Sequence, residues 1–180
     1  MAGKDLTPQE AETEFWKSLK ESNTGMLRVD RPGEHAQPMT GYGEPETGTI
    51  WFFSRDDTDF AKEVAGGGQM GMFTYQAEDE EVYACIHGQL SIDQDRSRID
   101  KYWNPVVAAW YPEGKDDPHL TLVRFDGQDG RVWVTKEGGL GFGFKVLKAN
   151  VTKTEPDVGG CIEKGAAARA TAPFSGAGAA

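Results

Sequence analysis

Two neighbouring segments, residues 37–40 and 49–58, carry the side chains best suited to binding a phosphate-bearing ligand. The first reads Gln-Pro-Met-Thr and the second Thr-Ile-Trp-Phe-Phe-Ser-Arg-Asp-Asp-Thr. Hydroxyl groups and an arginine at the end of an aromatic strand, beside the start of a helix, offer hydrogen-bond donors to a phosphate and an apolar wall to the rest of the ligand. On these local residues alone, an ordinary strand followed by a capped helix is the favoured interpretation.

Other chemical signatures are weaker. His35, His87 and His119 lie far apart and have no partner at a metal-ligand spacing, so no metal site is predicted. The chain has neither G-x-S-x-G nor a Cys/His signature, and no catalytic residue can be named. The glycine-rich residues 138–143 resemble a phosphate loop but precede a strand-like run rather than a helix, which favours a turn or bulge.

The elements that must position these residues are mainly strands. Thr7, Pro8 and Glu10 form a capping-box pattern that predicts a helix over about residues 8–22. Apolar and β-branched runs divided by turn residues predict strands, and alternation is strict over residues 82–93. The predicted strands cover residues 26–29, 36–42, 49–54, 70–76, 82–93, 120–125, 131–136 and 142–146, with residues 126–130 as a hairpin turn. Short turns and no βαβ rhythm favour an antiparallel barrel over a sandwich or a parallel sheet.

Composition limits the classes of function. The 180 residues suit one domain, predicted over residues 1–150, followed by a Gly/Ala-rich flexible tail over residues 151–180. A net charge of -10 with scattered basic residues argues against nucleic acid as a partner. No apolar run is long enough to cross a bilayer, so no membrane association is expected. The polar amino-terminal segment and the two cysteines, Cys85 and Cys161, predict a cytoplasmic protein without a disulfide framework.

The order of four motifs resembles the bacterial general stress protein branch of the pyridoxamine 5′-phosphate oxidase-like family. These are residues 37–40, residues 49–56, Gly88 with its strand, and the block Trp-Asn-Pro-Val-Val-Ala-Ala-Trp-Tyr-Pro-Glu-Gly-Lys-Asp-Asp-Pro at 103–118. The resemblance spans about Glu12 to Lys136. The 103–118 block is specific to that branch, whereas the earlier motifs are shared among flavin-binding split barrels.

The resemblance implies a six-stranded antiparallel split β-barrel with short flanking helices. It also implies a homodimer that holds flavin mononucleotide (FMN) at the subunit interface, with FAD or a deazaflavin as the alternative cofactor. Carried over by position, one segment lines the flavin ring, and its residues are Gln37, Pro38, Met39 and Thr40. Phe53 and Ser54 flank the ring and the ribityl chain, and Thr58 meets the phosphate.

Two departures from the family pattern affect these expectations. The family commonly has a lysine two residues after Thr58, where this chain has Asp59 and then Phe60. Arg55, Lys62 or a basic residue of the partner subunit must then compensate for the missing charge. Residues 141–149 lack the arginine and histidine that bind substrate phosphate in true pyridoxamine-phosphate oxidases, so that activity is not expected. Trp110 and Tyr111 are expected to stack near the ring or to pack the dimer interface, with neither interpretation favoured.

The resemblance favours an FMN-binding general stress protein, as a flavin-dependent oxidoreductase that takes hydride from a nicotinamide cofactor and acts on an unidentified small molecule. A non-catalytic flavin-binding or flavin-storage protein is the alternative from a different class. A deazaflavin-dependent enzyme on the same barrel is the third hypothesis.

Overall fold

The computed structural model describes residues 6–79 and 81–135, and the backbone of 160–164. The helices are α1 (Pro8–Glu21), α2 (Asp59–Ala65), α3 (Arg96–Tyr102) and α4 (Pro105–Ala108), and a 3₁₀ turn covers Gly114–Asp116. The strands are β1 (Thr24–Val29), β2 (Gln37–Glu44), β3 (Thr49–Arg55), β4 (Gln69–Gln76), β5 (Val82–Asp93), β6 (Leu120–Val134) and β7 (Gly160–Lys164). Among the described helices, none is long and apolar enough to cross a membrane.

The strands form a closed antiparallel barrel. Their order is β3-β2-β1-β4-β5-β6, and pairing of β3 with the first half of β6 closes the ring. The prediction of a six-stranded antiparallel barrel with short helices is therefore confirmed. Strand β7 pairs with the second half of β6, from Gly130 to Val134.

The predicted hairpin at residues 126–130 is wrong, because β6 runs through it as one strand. The turn-type residues are absorbed by a bulge against β5, where His87 pairs with Asp129 and Gly88 pairs with Gly127. A Cβ atom at Gly88 would lie 2.3 Å from the carbonyl oxygen of Asp126. The glycines here permit close backbone contact at a bent strand, which is a second use of residues that also favour turns.

Strand β7 lies within residues 151–180, which the sequence predicts as a tail. Residues 160–164 show no alternation strong enough to mark this strand, and its partner lies about 30 residues earlier in β6. The strand predicted at 142–146 and the glycine-rich residues 138–143 lie outside the described residues.

The interior of the barrel is an aromatic core. The fully buried side chains there include Phe52, Phe73 and Phe125. The Phe73 ring contacts both the Phe52 ring and the Phe125 ring. Helix α1 closes one end of the barrel, with its buried face consisting of Ala11, Phe15 and Leu19. The capping box of Thr7 and Glu10 fixes where this helix begins. Burial of each such phenylalanine contributes about 1.5–3 kcal/mol to folding.

Candidate functional site

A second aromatic layer lies on the outside of the barrel, over β2 and β3. Along β3, Ile50 and Phe52 belong to the interior core, whereas Trp51 and Phe53 belong to this outer cluster. Phe53 packs edge-to-face with Tyr42 at a centroid distance of 5.8 Å and lies 6.1 Å from Trp103. The outer face of β3 is therefore covered by the 103–118 block of the same chain.

Tyr111 fixes this block to the end of β3. Its ring lies 6.5 Å from Phe53 and 6.0 Å from Trp103, and its hydroxyl donates a hydrogen bond of 2.7 Å to the carbonyl oxygen of Ser54. Burial raises the pKa of Tyr111 to about 12, so the hydroxyl is a donor at any physiological pH. Tyr111 consequently serves the packing of its own chain.

Helix α3 is held on the barrel by a buried carboxylate. Glu44, at the end of β2, accepts hydrogen bonds from Lys101 Nζ at 2.7 Å, Tyr102 Oη at 2.9 Å and Arg98 Nε at 3.2 Å. Burial by itself raises the pKa of Glu44, but the hydrogen bonds from Lys101 and Tyr102 outweigh it and lower the pKa to about 2. The carboxylate is thus charged and fully engaged in structure.

Two of the predicted site residues are engaged where β3 leads into α2. Arg55 makes a two-pronged contact with Asp57, with Nε to Oδ1 at 3.1 Å and Nη2 to Oδ2 at 2.8 Å. This contact raises the pKa of Arg55 and lowers that of Asp57. The Thr58 hydroxyl donates to the Arg55 carbonyl oxygen at 2.8 Å and accepts from Ala61 N at 3.2 Å, which caps α2.

An open groove of about 670 Å³ lies between α2 and the segment that joins β1 to β2. Its walls bring two predicted site residues, Gln37 and Lys62, to one place. The groove is lined by Val29, Arg31, Glu34, His35, Gln37, Asp59, Phe60, Lys62 and Glu63. From the sequence, His35 was considered only as a metal ligand, and Arg31 was not singled out.

Arg31 is held by two carboxylates of the groove. Its Nε lies 3.0 Å from Glu34 Oε1, and its Nη1 lies 2.6 Å from Glu63 Oε1. The hydrogen bond with Glu34 is the main cause of a raised Arg31 pKa. The Glu63 oxygen is buried and forms no hydrogen bond of good geometry among the described residues, so its contact with Arg31 is an ion pair set by distance. Arg31 lies in the connection between β1 and β2, and its basic side chain was the only sequence signal for this arrangement.

The remaining predicted site residues have different environments. Pro38 is exposed, Met39 packs against the interior core, and Thr40 is half-buried opposite Thr24 of β1. Trp110 is 71% exposed, whereas Tyr111 is buried in the outer aromatic cluster. The structure therefore separates the two aromatic residues that the sequence suggested as equivalent candidates.

Three side chains of the types that bind metal ions lie close together at the exposed end of β3. Asp56, Asp57 and His119 place ligand atoms within 4.8 Å of one another, with His119 Nδ1 2.8 Å from Asp56 Oδ1. Their separation in sequence hid this proximity. All three are exposed, and both Asp57 oxygens already bind Arg55, so the cluster is explained by its own ion pairs.

A smaller cavity of about 100 Å³ lies at the other end of the barrel, beneath α1. Its walls are mostly apolar and include Phe15, Ile50 and Phe125. None of the predicted site residues lines it. The cavity is therefore separate from the groove beside α2.

Comparison with known proteins gives a consistent relationship. A family model described as pyridoxamine 5′-phosphate oxidase like matches residues 10–157. The chain is 32% identical to a Jannaschia sp. CCS1 protein assigned as general stress protein 26, over 87% of this chain and 98% of that one, with a TM-score of 0.75. It is 36% identical to the general stress FMN/FAD binding protein of the phytopathogen Xanthomonas citri, over 72% of this chain and 92% of that one, with a TM-score of 0.66.

A more distant structure supports the fold alone. A Clostridium acetobutylicum protein related to general stress protein 26 is 15% identical, with a TM-score of 0.59, over 71% of this chain and 91% of that one. No curated protein is significantly similar to the chain.

Proposed function

The chain belongs to the pyridoxamine 5′-phosphate oxidase-like family, and from that membership we propose that it is a flavin-binding general stress protein. The observation that carries the proposal is the groove that holds Gln37 and Lys62, in a chain 36% identical to a general stress FMN/FAD binding protein. FMN is the first cofactor to test, and FAD and a deazaflavin are the alternatives.

The groove suits the polar part of a flavin better than its ring. Gln37 offers an amide that both donates and accepts hydrogen bonds, and Lys62 offers a charged donor at the opposite wall. The ring has no slot in the outer aromatic layer, because Phe53 is already covered by Trp103 and Tyr111. A ring site therefore requires surface contributed from outside the single chain.

A homodimer supplies that surface in our proposal. The exposed large apolar side chains among the described residues are Met26, Met70, Val106 and Trp110, at 39%, 37%, 69% and 71% exposure. Exposed methionine and tryptophan side chains are typical of interface cores. The flavin then lies between subunits, with Trp110 available to the partner's groove or to the partner's surface.

Catalysis by this site is a further proposal, which depends on flavin binding. A bound flavin supplies hydride-transfer chemistry, and a nicotinamide cofactor is the reductant that we propose. The chain's own residues bind and orient: Gln37 and Lys62 face the groove, while Arg31 and Arg55 are held by carboxylates. The alternative is a non-catalytic flavin-binding or storage protein.

The test begins with purified protein. Saturable quenching of flavin fluorescence during titration with FMN supports the proposal, and no quenching with any flavin contradicts it. Mass spectrometry of the cofactor that copurifies separates FMN, FAD and deazaflavin. Anaerobic addition of a nicotinamide cofactor then distinguishes the oxidoreductase, which bleaches the flavin absorbance, from the storage protein, which does not.

A further inference from the structure

We propose that this chain does not distinguish flavins by their 5′-phosphate, so that it binds riboflavin and FMN with similar affinity. The inference rests on the proposed flavin site and concerns the residues available to a phosphate there. It predicts a flavin protein whose affinity comes from the ring and the ribityl chain.

The charge of the groove is the first argument. Its walls carry two cationic side chains, Arg31 and Lys62, and three carboxylates, Glu34, Asp59 and Glu63. With His35 counted as neutral, the lining has a net charge of -1. A phosphate monoester brings a further charge of about -1.5 to -2 at neutral pH. Like charges at this density oppose its binding.

The second argument is that Arg31 is already neutralised. Its guanidinium contacts Glu34 at 3.0 Å and Glu63 at 2.6 Å. The Glu63 side chain is only 14% exposed, so water does not solvate its carboxylate well. If Arg31 turned to a phosphate, Glu63 would be left charged and unpaired in a half-closed site, which is costly. The intramolecular pair therefore competes directly with the ligand.

The other donors predicted for phosphate are also engaged. The Thr58 hydroxyl donates its proton to the carbonyl oxygen of Arg55 at 2.8 Å. The Arg55 guanidinium is bound on two atoms by Asp57. Of the donors predicted for the phosphate, only Lys62 remains available. It forms no ion pair among the residues described. An exposed lysine beside Asp59 gives a weak and salt-screened attraction.

The experiment compares two ligands that differ only in the phosphate. Dissociation constants of riboflavin and FMN are measured in parallel by fluorescence quenching of the full chain. We expect the two constants to agree within about fivefold, which is less than one strong charge-assisted contact provides. An FMN affinity more than about fivefold higher overturns the inference, including the case in which a partner subunit supplies the missing charge.

Two variants test the mechanism. Glu63→Gln and Glu34→Gln each release Arg31 from one carboxylate, and each is expected to raise the affinity for FMN relative to riboflavin by about fivefold. Glu46→Gln, in the exposed β2–β3 turn at the far end of β2, is the charge-matched control and changes neither constant. Unchanged FMN affinity in both groove variants overturns the inference.

Riboflavin binding separates this inference from the proposed function and checks that each variant is folded. If neither flavin binds the wild-type protein, the proposed function itself fails. If both bind and FMN is strongly preferred, flavin binding stands and only the inference about phosphate fails.

Discussion

The Tyr111 hydroxyl donates a hydrogen bond of 2.7 Å to the main-chain carbonyl oxygen of Ser54. This bond joins residues 57 positions apart and ties the 103–118 block to the end of β3. It also explains why the block covers Phe53 of the same chain. The neighbouring Trp110 remains exposed, so only one of the two aromatic residues is free to meet a partner or a ligand.

Tyr111→Phe tests the structural role of that bond. The variant keeps the ring packing but leaves the Ser54 carbonyl oxygen without this donor, so the free energy of unfolding should fall by about 1 kcal/mol. Urea denaturation followed by tryptophan fluorescence measures it. Tyr83→Phe is the control, because the half-buried Tyr83 forms no side-chain hydrogen bond among the described residues. Equal stability of the two variants would contradict the assignment.

Glu44→Gln tests the attachment of α3. Removal of the charge leaves Lys101 and Arg98 without their buried carboxylate, and we expect a loss of about 3 kcal/mol at pH 7. Glu46→Gln, which is exposed two residues later, should change stability by less than about 0.5 kcal/mol. Thermal or chemical unfolding of both variants measures the change in the free energy of unfolding. A small change for Glu44→Gln would show that α3 is held by packing alone.

The same carboxylate predicts a pH dependence. The pKa of Glu44 is about 2 in the folded protein, against 4.5 for an unperturbed glutamate. Because the folded pKa is lowered, the charged form stabilises the fold fully above pH 4.5, and this stabilisation is lost as the pH falls toward 2. The stability difference between wild type and Glu44→Gln should therefore shrink over that range. A difference independent of pH would show that the carboxylate is not the source.

Gly88→Ala tests the bulge between β5 and β6. The added Cβ would lie 2.3 Å from the Asp126 carbonyl oxygen, so backbone must move, and we expect a loss of about 3 kcal/mol. Gly33→Ala is the matched control. Gly33 has a φ of 87° but open space around its Cα, so the cost there is about 1 kcal/mol from conformation alone. Similar losses at both positions would mean that the bulge relaxes easily.

Trp110→Ala tests the proposed dimer and flavin site together. Because Trp110 is 71% exposed in the single chain, the stability of an isolated subunit should change little. We expect the flavin dissociation constant to rise about tenfold, the effect of removing an aromatic residue from an interface centre. Sedimentation of the variant then separates a weakened dimer from a lost ring contact. Unchanged flavin binding and unchanged assembly would remove Trp110 from the site.

The sequence was a good guide wherever neighbouring residues decide the structure. The capping box fixed the start of α1 at Pro8, and strict alternation marked β5 at Val82–Asp93. It failed at residues 126–130, because glycines that permit a bulge are the same residues that favour a turn. Of the residues predicted for the site, Gln37 and Lys62 line one groove, whereas Phe53 is covered by Trp103 and Tyr111.

The sequence by itself determined the class of fold, since alternation and caps are local properties, and its motifs indicated the family by resemblance. Only the tertiary structure decided which charges neutralise one another. Arg31 and Glu63 are 32 positions apart, and Glu44 meets Lys101 across 57. Ion pairing depends on distance and burial, and both are set by closure of the barrel rather than by spacing along the chain.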